Sequence, residues 1–125
     1  MGIIMRNRII SRGDVYWVDL DKLPKINTHG QRGKRPCIVI SNNTNNNYSD
    51  MIQIVPCTTK EDYLPQHTYV YLMHSVKSWV LPEQILSIEK KYLGEKCFYL
   101  SRKQFSQVEK AVQIQLGMWR NNGRN

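Results

Sequence analysis

The chain has 125 residues, 41% of them hydrophobic, which suits a single domain able to bury its own core. Lys and Arg number 18 against 10 Asp and Glu, and the resulting charge of +8 indicates an anionic partner: nucleic acid, an acidic protein or a membrane surface. No apolar run approaches the roughly 20 residues of a membrane span, which excludes a membrane-spanning helix.

Cys37, Cys57 and Cys97 are an odd number of cysteines without a CxxC pair. This set fits neither a disulfide framework nor a zinc site, and it favours a reducing cytoplasm. Segment 1–10 has a short apolar run followed by cations, which is not typical of a signal peptide. We therefore expect a cytoplasmic protein with one domain over 1–125, in which 1–10 is an N-terminal extension.

Several segments are rich in β-branched and aromatic residues and are bounded by turn residues, a pattern that predicts strands. In chain order these are 13–20, 37–41, 51–58, 68–73, part of 78–88, and 95–100. Pro36 is tolerated at the first residue of its strand, Pro56 is expected to break the third strand, and Pro82 marks an edge or a bulge. The polar segment 41–50, SNNTNNNYSD, predicts a turn or loop.

The hydrophobic period changes after residue 101 to steps of three and four, which predicts one helix. Its apolar positions are Phe105, Val108, Val112, Leu116 and Trp119. Ser101 and Gln104 match a capping box, and Gly123 lies just past the expected end. Short strands followed by one helix predict a small, strongly bent antiparallel sheet or barrel with the helix packed against it.

Ala111, Ile114 and Met118 widen the apolar face of the predicted helix beyond a single stripe. Two interpretations stay open: the helix is deeply packed within its own domain, or it also contacts a partner subunit.

The sequence contains no P-loop, no GxSxG motif and no HExxH motif. Its histidines, His29, His67 and His74, show no metal-ligand spacing. Asp19 and Asp21 form a DxD pair, which more often ends a strand than binds magnesium, because hard cations need additional oxygen ligands. A metal-dependent nuclease is therefore poorly supported, and we expect no metal and no cofactor.

A basic loop with two glycines precedes the second strand and contains His29, Arg32, Lys34 and Arg35. Arginine binds phosphate through a two-pronged guanidinium, and histidine titrates near neutral pH. Metal-free RNA cleavage needs such groups, because protons must move and the phosphorane charge must be stabilised. From composition alone, a loop that only binds a nucleic-acid backbone or only solvates the surface is the commoner outcome.

Four segments occur in order: RGDVYWVDLD (12–21), GQRGKRPCIVISN (30–42), VPCTTK (55–60) and LPEQILSIEKKYLG (81–94). Together they resemble the MazF/PemK (Kid-like) toxins of toxin–antitoxin systems over nearly the whole chain. The resemblance implies a mainly β, α+β fold: a small curved antiparallel sheet of the SH3-like, CcdB/MazF type with a C-terminal helix. It also implies a homodimer that cleaves single-stranded RNA without metal, leaving 2′,3′-cyclic phosphate and 5′-hydroxyl ends, and that a MazE-like antitoxin inhibits.

The resemblance assigns catalytic positions. Arg35 matches the arginine before proline in the family's loop, where a guanidinium binds phosphate and stabilises transition-state charge. Thr58 matches a threonine that contacts the scissile phosphate, and Thr59 is a weaker neighbouring candidate. Glu83 matches an acidic residue that either serves as general base or holds Arg35 in place.

Gln31 matches the glutamine of the family's loop, but Gly30 stands where relatives carry Glu. His29 falls where the Kid branch has His, and it is assigned either to proton transfer or to stacking on a base. The arginine that precedes the acid in Kid is Leu81 here. The Kid-type acid/base pair is therefore incomplete, and Arg35 or His29 must supply what is missing.

The remaining RNA contacts are assigned to Arg32 and Lys34, which steer the strand, and to Gln84, which would contact RNA or the backbone. The Asn-rich segment corresponds to a variable loop near the RNA groove, where Asn45 would read base edges and Tyr48 would stack. An exposed turn is an equally open interpretation of that segment. Trp17 and Trp79 are expected to be core or groove aromatics. Two rival functions are a CcdB-like gyrase inhibitor and a silent relative that binds RNA or antitoxin.

Overall fold

The computed structural model describes residues 8–24, 30–61, 64 and 67–120. Its strands are β1 (Asp14–Asp19), β2 (Lys34–Val39), β3 (Met51–Thr58), β4 (Thr68–Leu72), β5 (Val76–Val80), β6 (Leu86–Glu89) and β7 (Leu93–Tyr99). Its α-helices are α1 (Asn43–Tyr48) and α2 (Arg102–Gln115). Single-turn 3-10 helices lie at Leu20–Lys22, Met73–Ser75, Pro82–Gln84 and Lys90–Tyr92.

The seven strands form one sheet in the order β4-β5-β3-β2-β1-β7, with β6 beside the first half of β3. Every neighbouring pair is antiparallel. The second edge of β3 is therefore shared, because Met51–Ile54 pair with β6 whereas Cys57 and Thr58 pair with β5. The turn at Pro82–Gln84 lies between these two partners.

The third predicted strand is not broken at Pro56, which lies within the continuous strand β3. The Pro56 carbonyl accepts a hydrogen bond from the Leu81 N–H at 3.1 Å, on the side where β5 gives way to β6. The amide nitrogen and the carbonyl of a strand residue point to the same side. The donor that proline lacks would therefore face the gap between β5 and β6, and its absence costs the sheet little.

Two further local predictions were wrong. Segment 41–50 contains the helix α1, because Asn42 caps its N-terminus by accepting from the Asn45 N–H, and the buried Asn46 side chain bonds to Ser41. Segment 78–88 holds parts of two strands rather than one, since Pro82 opens the 3-10 turn between β5 and β6. Asparagine side chains that satisfy local backbone groups cap helices as well as turns, and here the cap is formed.

In the central strands β1, β2 and β3, residues alternate between two apolar clusters on opposite faces of the sheet. The first cluster includes Tyr16, Val18, Cys37, Val39, Ile52, Ile54 and Ile88. The second cluster includes Val15, Ile38, Val55, Cys57, Val80 and, from α2, Val108. Cys37 and Cys57 are fully buried core residues, and this burial raises the pKa of both thiols.

The C-terminal helix is confirmed, and its N-cap is Ser101, whose hydroxyl accepts from the Gln104 N–H at 3.2 Å. The Gln104 side chain does not complete a capping box but accepts from the Tyr71 N–H of β4 at 2.8 Å. The helix ends near Gly117, which has a φ of 72°. The predicted end at Gly123 lies outside the described residues. No helix of the described residues is long and apolar enough to cross a bilayer.

Candidate active site

One row of side chains crosses five strands at the end of the sheet where the basic loop enters β2. This site row consists of Val18, Arg35, Thr58, Trp79 and Tyr69, from β1, β2, β3, β5 and β4. The step from Arg35 to Thr58 continues the β2–β3 register by two residues beyond Cys37 opposite Pro56. Residues two apart in a strand point to the same face, so Arg35 and Thr58 share the face of Cys37 and Pro56, and both line one cavity.

Thr58 is 5% exposed, and its hydroxyl oxygen accepts from the Lys60 N–H at 3.2 Å. The hydroxyl hydrogen can still be donated, because a threonine side chain is both acceptor and donor. Thr58 is therefore a fixed O–H donor within the site row.

Arg35 is partly buried, and its Nε donates to the carbonyl oxygen of Arg32 at 2.8 Å. Among the described residues, its terminal nitrogens make no other hydrogen bond. A guanidinium keeps its proton at any relevant pH, so these nitrogens form a permanent cationic fork suited to a phosphate.

The basic loop is fastened at three points. The Arg32 side chain donates to Asp21 at 2.7 Å, the Leu20 N–H donates to the Gly33 carbonyl at 2.8 Å, and the Gln31 N–H donates to the Gln84 side chain at 2.7 Å. These contacts bring the predicted residues Gln31 and Gln84 together, and they fix the segment that presents Arg35.

Both carboxylates of the DxD pair accept hydrogen bonds from other groups of the chain, as expected where a strand ends in a turn. Asp19 accepts from the Asp21 N–H at 3.1 Å, and the hydrogen bond from Arg32 lowers the pKa of the Asp21 carboxyl. The described residues contain no group of three or more His, Cys, Asp or Glu that could hold a metal ion.

Glu83 contacts a histidine that the sequence did not single out. Both Glu83 carboxylate oxygens lie 2.9 and 3.0 Å from Nε2 of His67, whose side chain is 1% exposed. The other ring nitrogen, Nδ1, accepts from the Leu64 N–H at 3.2 Å. A ring that accepts at Nδ1 and carries its hydrogen on Nε2 satisfies both contacts, so His67 donates to Glu83 and orients it.

Glu83 does not hold Arg35 in place, which was its alternative predicted role. The Arg35 side chain is held instead by the carbonyl of Arg32. Leu81, which stands where Kid has an arginine, is fully buried and belongs to the interior. His29 lies outside the described residues.

Lys34 and Thr59 face away from the site row. Lys34 is next to Arg35 and Thr59 is next to Thr58, and successive residues of a strand point to opposite faces. The Lys34 Nζ lies 6.0 Å from the centre of the Trp17 ring. Trp17, Lys34 and Thr59 line a cavity of about 340 Å³ together with the core residue Cys57. Arg35 and Thr58 also contribute to its wall, but most of its lining belongs to the face that carries α2. By strand pairing, the predicted catalytic residues Arg35 and Thr58 belong to the site row.

Asn45 and Tyr48 lie on α1, and neither lines that cavity. The Asn45 side-chain amide donates to the Met51 carbonyl at 2.8 Å, which ties α1 to β3. Tyr48 is 87% exposed. The structure therefore brings neither residue to the site row, and their contacts with RNA stay predictions.

The fold is a curved antiparallel sheet with one C-terminal helix, and its site row carries an arginine and a threonine on neighbouring strands. Residues 11–116 match the family described as PemK-like, MazF-like toxin of type II toxin-antitoxin system. The chain is also 34% identical over 115 residues to an endoribonuclease MazF of Staphylococcus saprophyticus, a match that covers 88% of this chain and 93% of that protein. The chain therefore belongs to the PemK-like, MazF-like toxin family.

Solved structures agree on the fold. A MazF crystal structure from Deinococcus radiodurans matches with a TM-score of 0.74 at 21% identity, covering 89% of this chain and 99% of that one. A mycobacterial endoribonuclease in complex with its cognate antitoxin matches with a TM-score of 0.71 at 21% identity, covering 91% and 99%. The predicted fold class and family resemblance are confirmed.

Proposed function

We propose that this chain is the toxin of a type II toxin–antitoxin system and that it cleaves single-stranded RNA without a metal ion. The observation that carries the proposal is the site row, in which the cationic fork of Arg35 and the O–H donor of Thr58 lie on one face of neighbouring strands. Such donors stabilise the charge that develops on a phosphorane.

In the proposed reaction, a bond forms between the 2′-oxygen and phosphorus while the bond from phosphorus to the 5′-oxygen breaks. The 2′-hydroxyl loses a proton to a base on the protein, and the 5′-oxygen gains one from the protonated base or from water, so the number of protons is conserved. Arg35 and Thr58 donate to the non-bridging oxygens. The products are a 2′,3′-cyclic phosphate and a 5′-hydroxyl.

Glu83 is our candidate for accepting the proton of the 2′-hydroxyl. Its carboxylate is 25% exposed and is oriented by His67, so it is both fixed and accessible. Glu83 lies in the turn Pro82–Gln84, and the side chain of its neighbour Gln84 accepts a hydrogen bond from Gln31 in the basic loop. His29 is the alternative proton carrier.

The proposed partners follow from family and charge. A net charge of +8 suits both RNA and the acidic segment of a MazE-like antitoxin. We propose that the chain works as a homodimer in the cytoplasm and that antitoxin binding blocks the RNA site. Two structural neighbours, one mycobacterial and one from Deinococcus radiodurans, were solved as complexes: an endoribonuclease with its cognate antitoxin, and MazE-MazF.

Purified protein should cleave single-stranded RNA in excess EDTA at the rate seen without it. The measurement is gel analysis of a long RNA, followed by end mapping: a 5′-hydroxyl should accept label from polynucleotide kinase without prior phosphatase treatment. Cleavage that requires added magnesium would refute the mechanism, and inhibition of gyrase supercoiling without any RNA cleavage would favour the CcdB-like rival.

Glu83→Gln should lower kcat about 100-fold, because the amide keeps the size of the side chain but cannot take the proton. His67→Gln keeps a donor toward Glu83, so we expect at most a tenfold loss. Both are measured as kcat and KM on one RNA, with Glu89→Gln as the matched carboxylate control. If Glu83→Gln retains full kcat while His29→Ala loses it, the proton carrier is His29 instead.

A further inference from the structure

Beyond Thr58, the site row continues into an exposed aromatic patch on the β4–β5 hairpin. The patch consists of Tyr69, Tyr71, Lys77 and Trp79, all on the face that carries Arg35 and Thr58. Tyr69 is 39% exposed and Tyr71 is 48% exposed. The sequence left Trp79 open as a core or a groove residue, and the strand pairing puts it in the row beside Thr58.

The rings are held in defined orientations. Tyr69 meets Trp79 edge to face with centroids 5.2 Å apart, and it meets Tyr71 edge to face at 5.8 Å. The Lys77 ammonium lies 4.2 Å from the centre of the Tyr69 ring and 5.0 Å from that of Trp79. Within the part of the chain that the structure describes, Lys77 forms no ion pair, so its positive charge is not neutralised by a carboxylate.

We propose that this patch binds the nucleotides next to the scissile phosphate of single-stranded RNA. Bases stack on Tyr69 and Trp79, while Lys77 attracts a neighbouring phosphate. The proposal rests on the proposed function and extends it to a substrate subsite. Aromatic rings beside a cation are the usual means of binding single strands, because every base offers a π-face.

Position favours RNA over other occupants. Neighbouring strands are about 4.8 Å apart. Trp79 is therefore one strand spacing away from Thr58, and Tyr69 is two strand spacings away from it. A strand of RNA whose phosphate is held by Arg35 and Thr58 therefore extends directly over these rings or away from them along the row. Val18, at the opposite end of the row, is buried and offers no comparable surface.

The test measures RNA binding without cleavage, in an Arg35→Ala background. The probe is a labelled single-stranded oligoribonucleotide of randomised sequence, with an abasic oligomer of equal length as a second probe. Tyr69→Leu should weaken binding of the base-containing probe about tenfold, while Tyr69→Phe, which keeps the ring, should bind as the parent does. Binding of the abasic probe should not respond to Tyr69→Leu.

Tyr99→Leu is the matched control, since Tyr99 is 69% exposed on β7 and also has a lysine, Lys96, 5.5 Å from its ring centre. It should bind both probes as the parent does. In otherwise wild-type protein, Tyr69→Leu should raise KM about tenfold with little change in kcat.

Three outcomes would overturn the subsite. Equal loss of affinity for both probes would mean that the patch contributes charge and no stacking. A change in sedimentation without a change in RNA affinity would make it a contact between copies of the chain. A loss of antitoxin binding with RNA affinity intact would make it an antitoxin surface. If the wild-type chain cleaves no RNA at all, the proposed function itself fails, which is a separable result.

Discussion

Arg35→Ala should lower RNA cleavage by about 10³-fold while the fold survives. Losing a preorganised donor to a charged transition state costs about 2.7–4 kcal/mol, or 10² to 10³ in rate, and the guanidinium contributes a permanent charge as well. The side chain is only partly buried and its one internal contact, to the Arg32 carbonyl, can be replaced by water. The measurement is single-turnover cleavage at saturating protein, together with the thermal midpoint of unfolding.

Arg35→Lys separates charge from geometry. A lysine keeps the positive charge but lacks the planar fork, so we expect cleavage between that of the wild type and that of Arg35→Ala. Arg102→Ala, an exposed arginine at the start of α2, is the matched control and should cleave normally. Wild-type rates for Arg35→Ala would mean that the reactive site is elsewhere on the chain.

The sequence predicted the strands well because their signal is local. The concentration of Val, Tyr and Trp in 13–20 predicts a strand, and the observed strand is Asp14–Asp19. The C-terminal helix was equally clear from its period. Segment 41–50 was less tractable, because an asparagine-rich run supports turns and helix caps alike. The buried Asn46 and its bonds to Ser41 decide for a helix.

The site could be predicted only in part. Arg35 and Thr58 came from the family resemblance, and the strand register explains why they share one face of the sheet. The His67–Glu83 contact joins residues 16 positions apart, and nothing local marks either residue as the partner of the other. Lys34 illustrates a different limit: its charge suggested RNA binding, but β2 begins at Lys34 rather than at residue 37, and alternation turns this lysine away from Arg35.

The same alternation of side chains decides which face of the sheet carries the aromatic patch. A tryptophan at residue 79 is compatible with a core or with a groove until its partner strand and register are known. Because Trp79 pairs with Thr58, it shares the face of the proposed reactive groups, whereas its neighbours Ser78 and Val80 are buried on the other face. The functional surface thus depends on register, which depends on contacts distant in sequence.

Thr58→Val should lower kcat about 100-fold with little change in KM. Valine has nearly the same shape, so the change removes the O–H donor and leaves the packing of this 5% exposed side chain intact. The Lys60 N–H loses its acceptor, but Lys60 is exposed and water can replace it, so the free energy of unfolding should change by less than about 1 kcal/mol. Thr58→Ser, which retains the hydroxyl, should keep most of the activity, and Thr44→Val on the exposed surface of α1 is the control. Equal kcat for Thr58→Val and the wild type would show that Thr58 does not donate to the reacting phosphate, and Arg35 would then stabilise its charge alone.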